Sequence, residues 1–339
     1  MKVKNALKAV VAGEPLQRGS MCEIIESLLR GSADPIAVGG LLMALAARGE
    51  SLEELVGAAQ AMRANMVPFE HDSQDAVDTC GTGGSGMDTF NISTAAALVA
   101  ASAGARVIKH GNRAASSQCG SADLLESLGI PLELDPVAAR TVFEEVGITF
   151  LYAPRYHPAM RHVSPIRRAL GVRTLFNLLG PLCNPGRVDR QVIGVSKAGH
   201  VPLLARVLEE LGTKRALVVH GAEGVDELTL NPGNRVRSLG FLGEREWGAQ
   251  TLGLEPIPIT TCTGGNAEQN RSLFLDLLDG KPTPIKDFVL LNAAAALVVS
   301  GKAQTPEAGL EQAREALESG ASKLKLAAWI QVAQGVSDQ

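Results

Sequence analysis

Residues 78–94 read DTCGTGGSGMDTFNIST, and this stretch decides the fold. A β-like run from Ala76 ends at Cys80, and four glycines follow within six residues (Gly81, Gly83, Gly84, Gly86). A helical pattern then opens near Ile92 and runs to Ala103. Strand, glycine-rich turn and helix in that order form the first half of a βαβ unit. Glycines let backbone N–H groups come close to an anion, and the helix start adds its dipole and unpaired donors. Asn91, Ser93 and Thr94 place side-chain donors at the same terminus. The segment has the makings of a phosphate cradle.

Two known cradles are excluded. No Gly-Lys-Ser/Thr follows, so this is not a P-loop. Gly81, Gly83 and Gly86 meet the dinucleotide spacing, but a nicotinamide cofactor also needs an acid about 20 positions on for its ribose hydroxyl. The next strand ends RVIKH at residues 106–110, and no Asp or Glu occurs between Asp88 and Asp123.

Outward from this unit the alternation continues. Strand-like runs recur at Arg106–Lys109, Ile148–Tyr152, Gln191–Val195 and Arg215–His220. Helical stretches lie between them at Ala122–Leu128, Pro136–Val146 and Val201–Leu211. The pattern predicts an α/β domain with a mainly parallel central sheet flanked by helices. Beyond Gly221, Glu227–Leu230 and Arg235–Leu239 read as further strands, and the remainder as helix, including Ile285–Val299 and Pro306–Ser319.

The first seventy residues carry only helix signals. Ser20 with Glu23 is a capping-box pair. Asp34-Pro35 is an N-cap with proline at the first helical position, opening a helix to Gly49. Ser51 with Glu54 repeats the capping box and leads to about Asn65. The apolar face Ile36, Leu41, Leu42 and Leu45 suits a core of the module itself, the simpler reading, or a subunit interface. Residues 158–180 break the α/β alternation with helix alone, so this segment is expected to pack with the N-terminal helices. The expected division is a small all-helical N-terminal domain, 1–70 completed by about 158–185, and a larger α/β domain, 71–157 with 186–339.

Composition narrows the class. The chain has 339 residues, 32 Lys+Arg against 36 Asp+Glu and 4% aromatics, which disfavours a nucleic-acid binder working by bulk charge or base stacking. The longest apolar runs, Ala95–Ala101 and Ala293–Val299, are far short of the ~20 residues that span a bilayer. No signal peptide is expected in Met1–Glu14. Cys22, Cys80, Cys119, Cys183 and Cys262 are scattered and odd in number, as for reduced cytoplasmic thiols without a disulfide framework or paired-Cys zinc site. His157 and His162 are five apart, not the four that place two ligands on one helix face. Cys80, Cys119, Trp247 and Trp329 read as packing residues.

Two more segments carry chemistry. Lys109–Arg113 (KHGNR) opens the loop after the next strand, where it faces the same crevice as the glycine loop. Asp226-Glu227 ends a glycine-containing loop after the strand at Arg215–His220. Adjacent carboxylates suit a hard cation such as Mg2+ completed by phosphate oxygens, or an acid/base pair. Neighbours on an extended segment point to opposite sides, which a shared cation tolerates better than a proton relay.

Together GTGG (81–84), TFNIST (89–94), KHGNR (109–113), HPAM (157–160), RTLFNLLGP (173–181) and Asp226-Glu227 resemble the anthranilate phosphoribosyltransferase family, in its order and spacing and over nearly the whole chain. The resemblance implies transfer of phosphoribose from phosphoribosyl pyrophosphate (PRPP) to the amine of anthranilate, in tryptophan biosynthesis. It also implies two Mg2+ ions per subunit and a homodimer built through the helical domain. Gly81, Gly84, Ser85, Thr89, Asn91, Ile92, Ser93 and Thr94 are then expected at PRPP. Lys109, His110, Gly111, Asn112, Arg113, Ala114, Ala115, Ser116 and Ser117, with Ser121, would form the loop that closes over its pyrophosphate and ribose. Anthranilate would meet Gly81, Asn112 and Arg167 in a channel lined by His110, His157 and Pro181. Ser93, Asp226 and Glu227 would hold the metal, and Lys109, Asp226 and Glu227 would act in catalysis. One departure stands out: Ser85 occupies a position where the family often has Asp, so that charge is missing. Two rivals share the architecture, a pyrimidine nucleoside phosphorylase and a non-catalytic nucleic-acid-binding relative. The first lacks His-Gly-Asn after its lysine, and the second should have lost Asp226-Glu227.

Overall fold

The computed structural model describes residues 2–114, 117–241 and 247–337. Four helices open the chain: α1 (Val3–Val11), α2 (Arg18–Leu29), α3 (Pro35–Arg48) and α4 (Leu52–Ala64). In α3 the Asp34 carboxylate accepts from the Ala37 N–H at 2.9 Å, and Gly49 ends the helix at φ +92°. α4 starts on a full Ser51/Glu54 capping box. Ser20, by contrast, caps nothing, because α2 begins at Arg18 with Gln17 as its N-cap. Tertiary packing sets that start. The Arg18 carbonyl lies where a Cβ on Gly57 would be, at 2.3 Å, and its guanidinium pairs with Glu53 at 2.9 Å. Leu41, Leu42 and Leu45 are buried as expected, but Ile36 is 86% exposed and lies outside the core.

The sheet follows. Its strands are β1 (Val77–Asp78), β2 (Val107–Gly111), β3 (Ile148–Tyr152), β4 (Arg190–Gly194), β5 (Arg215–His220) and β6 (Arg235–Leu239), in the order β3-β2-β1-β4-β5-β6. All neighbours are parallel except β5 and β6. The expected strand at Glu227–Leu230 is absent. Asn292 brackets the Leu228 N–H and carbonyl (3.0 and 2.9 Å), and Asn234 does the same for Thr229 (3.1 and 2.7 Å), so these backbone groups pair with side chains instead of a ladder.

Helices α5 (Ile92–Ser102), α6 (Ser121–Ser127) and α7 (Pro136–Val146) link the first strands. The segment after β3 is helical, as expected: α8 (Ala153–Tyr156), a 3-10 turn at Pro158–His162, α9 (Ser164–Leu170), α10 (Leu175–Leu179) and a second 3-10 turn at Pro181–Cys183. Next come α11 (His200–Glu210), then α12 (Ala267–Leu278), α13 (Lys286–Ser300), α14 (Pro306–Glu318) and α15 (Ala321–Ser337).

Two apolar cores result. The larger is built around α5 and α13, whose alanine runs allow close approach, and it takes in Trp247 and Trp329. In the other, Leu175, Leu178 and Leu182 join Leu55, Val56 and Met62 of the N-terminal helices, and the cluster continues onto Ile193, Val195 and Val218 of the sheet region. All five cysteines are free. Among the described residues no helix is long and apolar enough to cross a membrane.

Candidate active site

In the order 3-2-1-4-5-6 the chain changes direction between β1 and β4, the place where an open α/β sheet leaves a crevice at its carboxyl edge. A pocket of about 540 Å³ lies there, lined by the loops after β1, β2 and β5 and by the helical segment after β3.

The glycine loop adopts a path open to glycine: Gly83, Gly84 and Gly86 have φ of +64°, +76° and +76°. Close approach matters as much at Gly81 and Gly194, where added Cβ atoms would lie 2.7 Å from Asp226 Oδ2 and 1.5 Å from the Asp226 carbonyl. These two glycines let the Asp226 loop lie against the phosphate cradle.

Lys109 lies on β2 and is 2% exposed. Its Nζ donates to Thr79 Oγ1 (3.1 Å), the Thr79 carbonyl (3.3 Å) and Ser93 Oγ (3.3 Å). Burial lowers its pKa, against the pull of Cys80, Asp78, Glu227 and Asp226. Asp226 Oδ2 accepts from the Gly83 N–H at 2.7 Å, while Glu227 faces the Ser93 N–H. Burial pushes both carboxyl pKa values upward, and for Glu227 the neighbouring Asp226 adds to it. No Lys or Arg reaches ion-pair distance of either acid among the described residues. Two adjacent, poorly solvated carboxylates with a hydroxyl at Ser93 form an oxygen donor set that fits a hard cation. Among the described residues no cluster of three or more His, Cys, Asp or Glu exists, so water and phosphate oxygens must supply the remaining ligands.

His110 and His157 stand together in the wall, ring centroids 5.2 Å apart. His110 Nδ1 lies 3.1 Å from the Gly180 carbonyl and His157 Nε2 3.1 Å from that of Cys183. A carbonyl can only accept, so each of those nitrogens carries the proton, and buried His110 Nε2, without a partner, is left an acceptor. Burial depresses both, His110 to about 3 and His157 to about 4. Arg167 also lines the pocket, its guanidinium 5.6 Å from the Phe176 ring.

Of the residues expected at PRPP, Gly84, Ser85, Thr89, Asn91 and Ser93 line the pocket, as do Gly111, Asn112, Ala114, Ser117 and Ser121. Ile92 and Thr94 do not: both are buried beneath the start of α5. Pro181 is likewise buried behind the wall, where its carbonyl accepts from Gln191 Nε2 at 2.6 Å. Ala115 and Ser116 lie outside the described residues. Asn91 Nδ2 is taken by Asn270 Oδ1 (3.1 Å) and Cys119, and Arg113 pairs with Glu126 (2.7 Å) and Asp123 (3.0 Å) on α6.

Three residues had no role from sequence. Asp78, fully buried, accepts from the N–H groups of Cys80 (3.0 Å) and His110 (3.2 Å) and from Asn184 Nδ2 (2.8 Å), tying β1 to β2 and to the segment before β4. Burial raises its pKa to about 6, against Lys109 and these donors. Arg161 and Arg173 both line the pocket. The only sequence signal for them was an acid-free, arginine-rich run between Glu145 and Asp189.

Comparison with known proteins agrees with this fold. Residues 73–323 match the α/β domain of the glycosyl transferase family, and residues 4–66 its helical bundle domain. The anthranilate phosphoribosyltransferase of Thermomicrobium roseum is 46% identical over 94% of this chain and 94% of its own. The crystal structure of the Thermus thermophilus enzyme superposes with a TM-score of 0.92 at 43% identity, covering 97% of this chain and 99% of that one. The Saccharomyces cerevisiae enzyme in complex with PRPP and Mg gives 0.88 at 26% identity, covering 98% of each chain. The yeast enzyme has also been solved with 4-fluoroanthranilate.

Proposed function

The chain belongs to the glycosyl transferase family, in its anthranilate phosphoribosyltransferase branch, and from that premise we propose how its own residues share the reaction. It is a pentosyltransferase: 5-phosphoribose passes from PRPP to the amine of anthranilate, giving N-(5-phosphoribosyl)anthranilate and pyrophosphate in tryptophan biosynthesis. The relatives lend no support to a nucleoside phosphorylase or a nucleic-acid-binding protein.

One observation carries the assignment of roles: the loop after β1, strand β2 and the loop after β5 bring a glycine cradle, a buried lysine and a carboxylate pair without a cationic partner to a single pocket. As the C1–O bond of PRPP breaks, its electron pair leaves with pyrophosphate and the ribose ring becomes positive. Lys109, already desolvated, faces the growing negative charge together with backbone N–H groups of the glycine loop and the start of α5. Mg2+, when bound, neutralises pyrophosphate charge. Ser93, Asp226 and Glu227 would hold it. The carboxylates face different neighbours, Asp226 the Gly83 N–H and Glu227 that of Ser93, which supports a reading with two ions per subunit. Arg167 binds the anthranilate carboxylate and so aims the amine at C1. His110 Nε2 accepts a hydrogen bond from that amine, in a wall it shares with His157 and Asn112.

At larger scale, the helical domain comprises 1–70 with about 158–185, the α/β domain the rest, and two chains associate through the helical domain. Val11, Ile36 and Met43, exposed by 72%, 86% and 37%, support that interface. Five free thiols support a cytoplasmic location.

The test is loss of anthranilate fluorescence on mixing enzyme, PRPP and Mg2+, with thymidine plus phosphate as control. Fluorescence should fall only with PRPP and Mg2+. Thymidine cleavage, or no loss of fluorescence with PRPP, would overturn the reading.

A further inference from the structure

Arg173 stands between α9 and α10, on the segment that packs with the N-terminal helices, yet its guanidinium reaches the glycine loop after β1. Nη1 donates to the Gly83 carbonyl at 2.5 Å and Nη2 to that of Thr82 at 3.3 Å. A Cβ on Gly84 would lie 1.2 Å from Nη1, so only glycine leaves this seat open. Asp226 attracts Arg173, but no carboxylate comes within ion-pair distance of it among the described residues, so its direct partners are the two carbonyls.

The peptide group turns these contacts into a direction. A trans peptide is planar, with its C=O and N–H pointing opposite ways. Holding the Thr82 carbonyl on one side sends the Gly83 N–H to the other, where it meets Asp226 Oδ2 at 2.7 Å. Holding the Gly83 carbonyl likewise turns the Gly84 N–H away from the guanidinium. Both glycines have positive φ and no side chain to restrain them.

We propose that Arg173 is a positioning residue for the donor substrate: by pinning two carbonyls it keeps the Gly83 N–H on Asp226 and aims the Gly84 N–H at the pyrophosphate. It thereby ties the helical segment to the phosphate cradle. This rests on the PRPP reading of the pocket.

Arg173→Gln should raise KM for PRPP about tenfold or more, the loss of two charge-assisted hydrogen bonds, and leave KM for anthranilate within about twofold. Calorimetric titration with Mg2+-pyrophosphate should show the same weakening without relying on turnover. Arg173→Lys, which keeps the charge and can reach one carbonyl, should recover part of it. A merely structural role would lower the melting temperature and move both KM values together. If wild type consumes no anthranilate, the phosphoribosyl reading itself fails. If wild type turns over while Arg173→Gln binds PRPP and pyrophosphate normally, or both KM values rise alike, this inference alone is overturned.

Discussion

His110 and His157 show how a residue's state follows from what buries it. Each is nearly inaccessible, and each ring has one nitrogen committed to a backbone carbonyl. Desolvation therefore holds both neutral, with His110 at about 3 and His157 at about 4 against an unfolded value near 6.5. Between about pH 4 and 6 the unfolded chain binds between about one and two more protons on this pair than the native chain does. Stability from this pair is thus complete above pH 6.5 and drains away as pH falls. Asp78, Asp226 and Glu227 are shifted upward and act in the opposite sense, so the pair must be isolated by difference. Urea unfolding of wild type and of His110→Asn/His157→Asn should give stabilities whose difference changes by about 2 kcal/mol per pH unit in that window. Parallel curves would mean that the imidazoles are not held neutral. At this scale Lys109, Asp226 and Glu227 could be picked out of the sequence, since charged residues at strand ends are scarce. Asp78 and Arg173 could not, because contacts with segments distant in sequence, His110 and Asn184 for one and Thr82 and Gly83 for the other, give them their roles.

Among the elements, the capping signals separated cleanly. Asp34-Pro35 and Ser51/Glu54 mark real helix starts, while the same pattern at Ser20/Glu23 falls inside α2, displaced by the contact of Arg18 with α4. Local chemistry names a cap only where no tertiary contact competes. Glu227–Leu230 makes the same point for a strand: its apolar residues suit a sheet, but Asn292 and Asn234 claim the backbone. Glu54 combines both scales. Beyond its capping role it accepts from the Leu16 N–H at 2.8 Å and pairs with Arg48, and it is fully buried. Glu54→Ala should cost about 3 kcal/mol in urea unfolding, because it strands two N–H groups and removes the carboxylate partner of Arg48. Glu53→Ala, which breaks a half-exposed pair with Arg18, should cost under about 1 kcal/mol. Equal losses would show that burial of Glu54 contributes nothing.

Across the whole molecule, sequence alternation was enough for the parallel sheet, and the position of the site follows from strand order at the switch point. Strand order itself is not written in any local pattern, and neither is the joining of one face of the sheet to the core that the N-terminal helices share with the segment after β3. That core leaves the acid pair facing a pocket whose opposite wall belongs to the helical segment. The protein alone offers a cation too few ligands, and the cradle alone offers a pyrophosphate no counter-charge beyond Lys109 and arginine. Each ligand should therefore bind well only when the other is present. Millimolar Mg2+ by itself should leave the melting temperature within about 1 °C of the metal-free protein. PRPP with Mg2+ at about 100 times its Kd should stabilise by about 2.7 kcal/mol, which for a chain of this size is a rise of about 4 °C, reversed by EDTA. A full rise with Mg2+ alone would mean that the chain holds the metal unaided, and the shared site between carboxylates and pyrophosphate would have to be given up.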